Sequence, residues 1–280
     1  MPSPGRMHVL SPRPRSSSSV SAERQKFLGE IVAMQVPLTL PISTKGRVIA
    51  YVDGYNLYHG LRSAGLRSGY WLDIPALVRR FLPNGYDLIV TKYFTSRVVP
   101  APDDPGAVGS AQRQTEYLEA IQSLPGLTFI SGQFHLNQRR CRACSAQWWL
   151  PNEKMTDVNI ASEMLTDAFL GAVDVALLIS ADSDLSAPIK KIREHLPDRL
   201  VWVVFPPWRG SDTLKALAHQ RFRIRRQVVL ECQLPEEVVG TDGFPRRRPP
   251  EWNDPPRSSP AQSDAPPATP PSSAERPTSQ

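Results

Sequence analysis

Arg47-Val48-Ile49-Ala50-Tyr51-Val52-Asp53-Gly54-Tyr55-Asn56 is a short apolar run that ends on a carboxylate, and Val175-Ala176-Leu177-Leu178-Ile179-Ser180-Ala181-Asp182-Ser183-Asp184 repeats the arrangement more than a hundred residues later. Runs of this kind read as strands buried on both faces, the type found in parallel sheets covered by helices. Ligands of open α/β sheets bind beyond the carboxyl ends of the strands. Asp53, Asp182 and Asp184 fall at or just past such ends. If the ends are neighbours, the carboxylates converge. Two unit charges about 4 Å apart repel by roughly 4 kcal/mol at an effective dielectric near 20. Such a cluster takes up protons or binds a divalent cation, and Mg²⁺ or Mn²⁺ suits an all-carboxylate site.

Outward from these strands the pattern alternates. Helices are expected at 57–64, within 71–82, and at 111–124, 155–170, 184–196 and 212–218. Strands are expected at 86–99, 127–131, 173–180 and 199–205, with a last one at 222–229, where a helical start near Arg226 is the alternative. The stretch 100–109 reads as a loop rich in Pro, Asp and Gly. Residues 135–150 break the rhythm with basic residues, the Cys141-x-x-Cys144 pair and Trp148-Trp149. Strands alternating with helices imply an α/β fold, a parallel sheet with helices on both faces.

Composition divides the chain. Its 280 residues carry 29 prolines and are 40% hydrophobic, and the excess proline is concentrated at the ends. From Thr241 onward Pro, Ser, Ala and Arg dominate, and the segment 241–280 reads as a disordered tail; residues 1–35 read as a disordered extension. That leaves one domain over 36–240, long enough for a real core. No stretch approaches the roughly 20 apolar residues of a membrane span, and no secretion signal is legible at the N-terminus. Three cysteines, an odd number, argue against a disulfide framework. The expected location is cytoplasmic. The net charge of +6 is clustered, with Arg139, Arg140 and Arg142 in one group and Arg221, Arg223, Arg225 and Arg226 in another. Such clusters suit a polyanion, or simply solvate a surface.

Asp157 joins the acidic set through helix geometry. Ile160, Ala161, Met164, Leu165 and Ala168 form an apolar stripe, and Asp157 lies on that stripe one turn upstream. Helix capping is the alternative role for it. Val52-Asp53-Gly54-Tyr55-Asn56-Leu57-Tyr58, Glu153-Lys154-Met155-Thr156-Asp157-Val158 and Ile179-Ser180-Ala181-Asp182-Ser183-Asp184-Leu185 together closely resemble the three motifs of NYN domains of bacterial type, in the PIN-like nuclease superfamily. The resemblance spans 47–252. Ala181 stands where Gly is usual and Leu185 where an aromatic is common, both beside the acidic residues rather than in place of them.

The resemblance implies a PIN-like three-layer sandwich with a mainly parallel central sheet, and metal-dependent hydrolysis of phosphodiesters in RNA. Asp53 and Asp182 would be primary ligands of Mg²⁺ or Mn²⁺, with Asp157 and Asp184 completing the shell. Asn56 would orient a phosphate oxygen or a bound water. Lys154, Arg139, Arg140 and Arg142 are candidate contacts to single-stranded RNA, which Trp148 and Trp149 would stack on unless they pack the Cys141 loop. Thr156 and Ser180 either donate to the carboxylates or cap locally. Cys141 and Cys144 are two ligands of the four a structural zinc needs, with His135 and Cys232 as further candidates. A site shared across a homodimer, a reduced structural pair and a redox switch are the other readings of the pair. The rival function is a catalytically idle RNA-binding or scaffolding module with the same fold. A different Mg²⁺-dependent α/β enzyme would need a further acidic residue after the first strand, which Gly54-Tyr55-Asn56 does not supply.

Overall fold

The computed structural model describes residues 46–102 and 104–253, so the expectations for 1–35 and for 254–280 lie outside the described residues. Among the described residues ten strands and seven α-helices follow in chain order. The first part runs β1 (Gly46–Asp53), α1 (Gly54–Ser63), α2 (Ile74–Arg79), β2 (Tyr86–Thr95), α3 (Pro105–Gln122), β3 (Leu127–Ser131), β4 (Gln133–Arg140) and β5 (Gln147–Lys154). The second runs α4 (Thr156–Phe169), β6 (Val175–Ile179), α5 (Ser186–His195), β7 (Leu200–Phe205), α6 (Asp212–Leu217), β8 (Gln220–Arg223), α7 (Arg226–Glu231), β9 (Glu237–Val239) and β10 (Pro245–Arg247). Six strands form one all-parallel sheet in the order β3-β2-β1-β6-β7-β8.

The strands alternate between two cores with period two. Val48, Ala50 and Val52 of β1 pack with Leu57 and Leu61 of α1, Leu77 of α2 and Ile121 of α3. Ile49 and Tyr51 turn to the other face, against Ile160 and Met164 of α4, Ile189 of α5 and Leu214 of α6. The same split holds in β6 and β7, which is why these strands read as continuous apolar runs rather than alternating ones. Helix, sheet and helix make the three layers, as expected of a PIN-like sandwich. Each fully buried Leu, Ile or Val contributes about 1.5–3 kcal/mol, so the core holds the strand ends, and the loops build on them.

Four local expectations change. The loop expected over 100–109 gives way to helix at Pro105, because Asp104 caps it, accepting the Gly106 N–H at 2.8 Å, and Pro105 needs no donor in the first turn. The stretch around the cysteine pair is an antiparallel hairpin of β4 and β5, with Gln133 opposite Lys154 and Arg140 opposite Gln147. The last parallel strand is Gln220–Arg223, and Arg226–Glu231 is helix, its buried Val229 packing into the first core. Finally, the disorder expected from Thr241 does not begin there. β9 pairs with β10, Arg246 meets Glu119 of α3 at 2.8 Å, and the Trp252 ring sits 5.6 Å from Tyr70 and 6.1 Å from Tyr117. A proline-rich composition hid a segment held by ion pairs and one aromatic anchor.

Candidate active site

The chain builds the sheet outward from β1 to β3 and then outward from β6 to β8, so the strand order reverses between β1 and β6. Their carboxyl ends lie side by side, Val52 opposite Ile179. This is the switch point at which open α/β sheets bind ligands.

Asp53 stands there, 4% exposed. It is the N-cap of α1, its Oδ1 accepting the Asn56 N–H at 2.9 Å, and its Oδ2 accepts the Ser180 hydroxyl at 2.9 Å. Ser180 Oγ in turn accepts the Asp182 N–H at 3.0 Å, and Asn56 Oδ1 accepts the Ala181 N–H at 3.1 Å. The two strand ends are thereby tied together around one buried carboxylate. Loss of water drives the Asp53 pKa up to about 7 against these two donors, with repulsion from Asp157 and Glu153 adding to the rise. Gly54 is glycine for contact rather than for its backbone angles: a Cβ there would lie 2.6 Å from the Tyr93 hydroxyl.

The cleft beside Asp53 is lined by Tyr55, Asn56, Asn152, Glu153, Lys154 and Asp157, and by Asp182 and Arg209. Glu153 reaches it from the end of β5, where Oε1 takes the Ser96 N–H at 3.1 Å, the Ser96 hydroxyl at 3.0 Å and the Thr156 hydroxyl at 2.8 Å. Asp157, exposed at the start of α4, is held above its ordinary pKa by loss of water and then by Asp182, Asp184 and Glu153. Asp182 accepts the Asp184 N–H at 3.0 Å and opens a 3₁₀ turn. Asp184 is exposed and outside the lining, although its charge reaches Asp157. Among the described residues none of these five carboxylates makes an ion pair. No three His, Cys, Asp or Glu side chains among them stand as a ready metal-ligand group.

Two of the three non-glycine residues in left-handed backbone border this cleft. Met155 (φ 73°) lines it, and Trp208 (φ 56°) directly precedes Arg209. Such conformations are costly and gather at functional loops. The Trp208 loop is pinned by α1, where Gly60 leaves room for Pro206 and Pro207; a Cβ would sit 2.6 Å from the Pro206 side chain.

Asp53, Asn56, Asp157, Asp182 and Lys154 line one cleft. Thr156 and Ser180 do donate to carboxylates. Asn56 differs in detail, its side-chain oxygen being committed to Ala181. Arg139 and Arg140 lie toward the far end of the hairpin, roughly 20 Å along it from Lys154 at ~3.3 Å per residue, and Arg142 is in the turn beyond. Glu153 and Arg209 were not singled out as site residues. The first lay inside a quoted motif, but nothing local marked its role; the second follows Pro206-Pro207 with no periodicity to place it.

The cysteine pair occupies the hairpin turn, closed by Cys141 N–H to Ala146 O at 2.8 Å and Ser145 N–H to Cys141 O at 3.0 Å. Backbone N–H groups of Cys144 and Ala143 and the Cys144 side chain lower the Cys141 pKa. Cys232 is buried in the first core and His135, on β4, pairs with Asn152, so no four-ligand zinc set forms among the described residues of one chain.

The family model for the NYN domain matches residues 47–223. The chain is 28% identical over 252 aligned positions to 6-hydroxy-3-succinoylpyridine 3-monooxygenase HspA of Pseudomonas putida, covering 75% of this chain and 76% of that protein. Among solved structures, a protein of unknown function from Vibrio parahaemolyticus aligns with TM-score 0.40 at 19% identity, over 66% of this chain and 97% of that one. A UDP-N-acetylglucosamine 2-epimerase aligns with TM-score 0.30 at 13% identity, over 67% and 45%. These last two are too loose to bear on function. The family match covers the whole parallel sheet and all three acidic motifs: the chain belongs to the NYN domain family, within the PIN-like superfamily.

Proposed function

We propose that the chain is a metal-dependent endoribonuclease that hydrolyses phosphodiesters of single-stranded RNA in the cleft at the β1–β6 switch point. The observation that carries this reading is Asp53, a carboxylate 4% exposed, beside further acids and in no ion pair among the described residues. The family is of nuclease type, which supports it at a coarser level.

The donor set fits a hard divalent ion. It is all oxygen, and Mg²⁺ is commonly bound through one or two carboxylates with waters filling the other positions, so a ready group of three is not required. Asp53 and Asp182 would hold it, with Asp157 and Asp184 completing its shell or fixing its waters and Glu153 beside them. When bound, such an ion polarises a phosphoryl oxygen and acidifies a water. The chain's own residues do the rest. Lys154 and Arg209 neutralise the phosphate and set it against the acidic wall. The Asn56 N–H and the Ser180 hydroxyl fix the Asp53 oxygens, so the carboxylate needs little reorganisation. Asp157, with its raised pKa, is placed to take or give a proton at the edge of the cleft.

Zinc at the hairpin and a homodimer become one question. Each turn offers two thiols, and two turns would complete a tetrahedral four-sulfur set.

A second reading comes from the relative named as a monooxygenase of 6-hydroxy-3-succinoylpyridine: the substrate would then be a free hydroxylated pyridine. The nuclease reading is favoured because the uncompensated carboxylates lie in the matched motifs. The experiment is incubation of the purified chain with end-labelled RNA in Mn²⁺, Mg²⁺ or EDTA. Internal cuts that need the metal support the proposal; intact RNA in Mn²⁺ contradicts it. No helix among the described residues is long and apolar enough to cross a membrane, and we place the protein in the cytoplasm with its RNA substrate.

A further inference from the structure

A cavity of about 150 Å³ lies beside the carboxylate cleft, and Tyr55 forms part of the wall of both. Its sides are aromatic. The Tyr58 and Tyr70 ring centroids stand 5.1 Å apart, and Trp252 meets Tyr70 edge-on at 5.6 Å. Leu57, Leu72 and Leu118 complete an apolar lining. Polar groups interrupt it: Gln114, whose amide accepts the Val98 N–H and donates to Ser96 O, and two hydroxyls. Tyr93 and Thr95, on the end of β2, are each 5% exposed and line the cavity, and among the described residues neither hydroxyl makes a hydrogen bond. Both hydroxyls open onto the cavity instead of being sealed in the core, so they are available to a group that enters it. Burial, with the Asp53 charge next in order, holds the Tyr93 phenol far above its ordinary pKa, and it stays an O–H donor.

Size narrows the partner. An apolar cavity of about 150 Å³ accepts a benzene ring, which is one six-membered ring and not a fused pair. Aromatic walls favour a flat π-system. Hydroxyls both donate and accept, so they match the polar edge of uracil and of cytosine alike.

We infer that this cavity is a pyrimidine subsite, and the inference rests on the nuclease reading above. One uracil or cytosine of the substrate strand lies in the cavity against the wall that Tyr58, Tyr70 and Trp252 form and bonds to the Tyr93 and Thr95 hydroxyls, which brings its phosphate to the neighbouring cleft. Trp252, on the C-terminal segment, closes the subsite, so that segment serves recognition as well as folding.

Binding tests this separately from cleavage. The full chain carrying Asp53→Asn is titrated with fluorescein-labelled hexauridylate, hexacytidylate and hexaadenylate, read by fluorescence anisotropy. The two pyrimidine oligomers are expected to bind about tenfold tighter than the purine one, within the range of one stacked base. Adding Thr95→Val or Tyr93→Phe is expected to remove most of that preference while hexaadenylate affinity stays the same. Should Tyr93→Phe fail to fold by circular dichroism, Thr95→Val carries the test. Equal affinity for the purine oligomer overturns the inference, as does a preference that survives both variants. Free 2-hydroxypyridine displacing hexauridylate at equal concentration overturns RNA as the source of the ring. A chain that cuts no RNA in Mn²⁺ yet keeps the pyrimidine preference would defeat the nuclease reading and leave the subsite standing.

Discussion

Asp167, on α4, accepts the Tyr51 hydroxyl at 2.6 Å and shares Lys92 Nζ with Glu163, each carboxylate lying 2.6 Å from the ammonium. Asp53, at the end of β1, has two hydrogen-bond donors and, among the described residues, no ion pair. Both carboxylates are largely buried. Only one is electrically finished. Asp167 is a structural acid whose charge is balanced within the fold, and Asp174, between Arg47 and Arg199 at 2.8 and 2.7 Å, is another. The switch-point acids are left with their mutual repulsion, which evolution would remove if the chain had no use for them. Sequence separates the two kinds only by position, Asp53 ending its strand while Asp167 lies within α4 and Asp174 precedes β6, and on that ground Asp167 and Asp174 read as turn or surface residues, not as buried ion-pair partners. The distinction is where the partner cations fall in space.

The largest expected effect on stability breaks this comparison from the Asp53 side. Its folded pKa is about 7 against an ordinary 3.8, so the folded state holds a proton that the unfolded chain releases between about pH 4 and 7. Stability contributed by that proton is present below pH 4 and is lost as pH rises through 7, at about 1.36 kcal/mol per unit. In EDTA, Asp53→Asn is therefore expected to raise unfolding free energy at pH 8 by up to about 4 kcal/mol and to change little at pH 3.5. Urea unfolding at the two pH values measures it. An equal effect at both would place the pKa elsewhere.

Next comes the balanced acid. Lys92→Met should cost about 3 kcal/mol, because it leaves Asp167 buried without its cation, with Lys92 and Asp167 each 13% exposed in their side chains. A melt unchanged by this substitution would erase the contrast between the two acids. The smallest effect concerns the arginines at the far end of the hairpin and the cleft's own lysine. Changing Arg139, Arg140 and Arg142 together to Ala should weaken RNA binding and reduce the slope of log affinity against log salt by up to about 2 units, at roughly 0.7 for each single-strand phosphate no longer neutralised. Lys154→Ala should reduce it by less than 1. The slopes are read from anisotropy titrations across a salt series, and a triple variant with the wild-type slope would make that end of the hairpin a solvated surface.

How much of this was legible follows the same physics. Strands β1 and β6 were readable because burial on both faces writes itself as an apolar run, and Asp53 and Asp182 because a carboxylate just past such a run has few structural excuses. Helix spacing put Asp157 on the apolar stripe facing the sheet, whereas the structure leaves it exposed at the edge of the cleft, because it sits in the first turn of α4 beyond the packed Ile160. Hairpin β4–β5 was hidden because its residues are mostly half-exposed or exposed, so no buried face imposes alternation. Helix α7 and the Trp252 anchor were hidden by basic and proline-rich composition. Tyr93 and Thr95 read as ordinary strand residues, and only the convergence of β2, α1 and the C-terminal segment makes a cavity of them.

The central claim, that the unbalanced acids and not the balanced ones carry the chemistry, is tested most directly by the initial rate of cutting of an end-labelled single-stranded RNA in Mn²⁺ by three proteins: wild type, Asp53→Asn and Asp167→Asn. The account predicts that Asp53→Asn falls by more than the roughly 10–100-fold that outer partners of a metal site cost, while Asp167→Asn, compared per folded molecule, stays within about twofold of wild type. Cutting at the wild-type rate by Asp53→Asn, or its loss in folded Asp167→Asn alone, would contradict it.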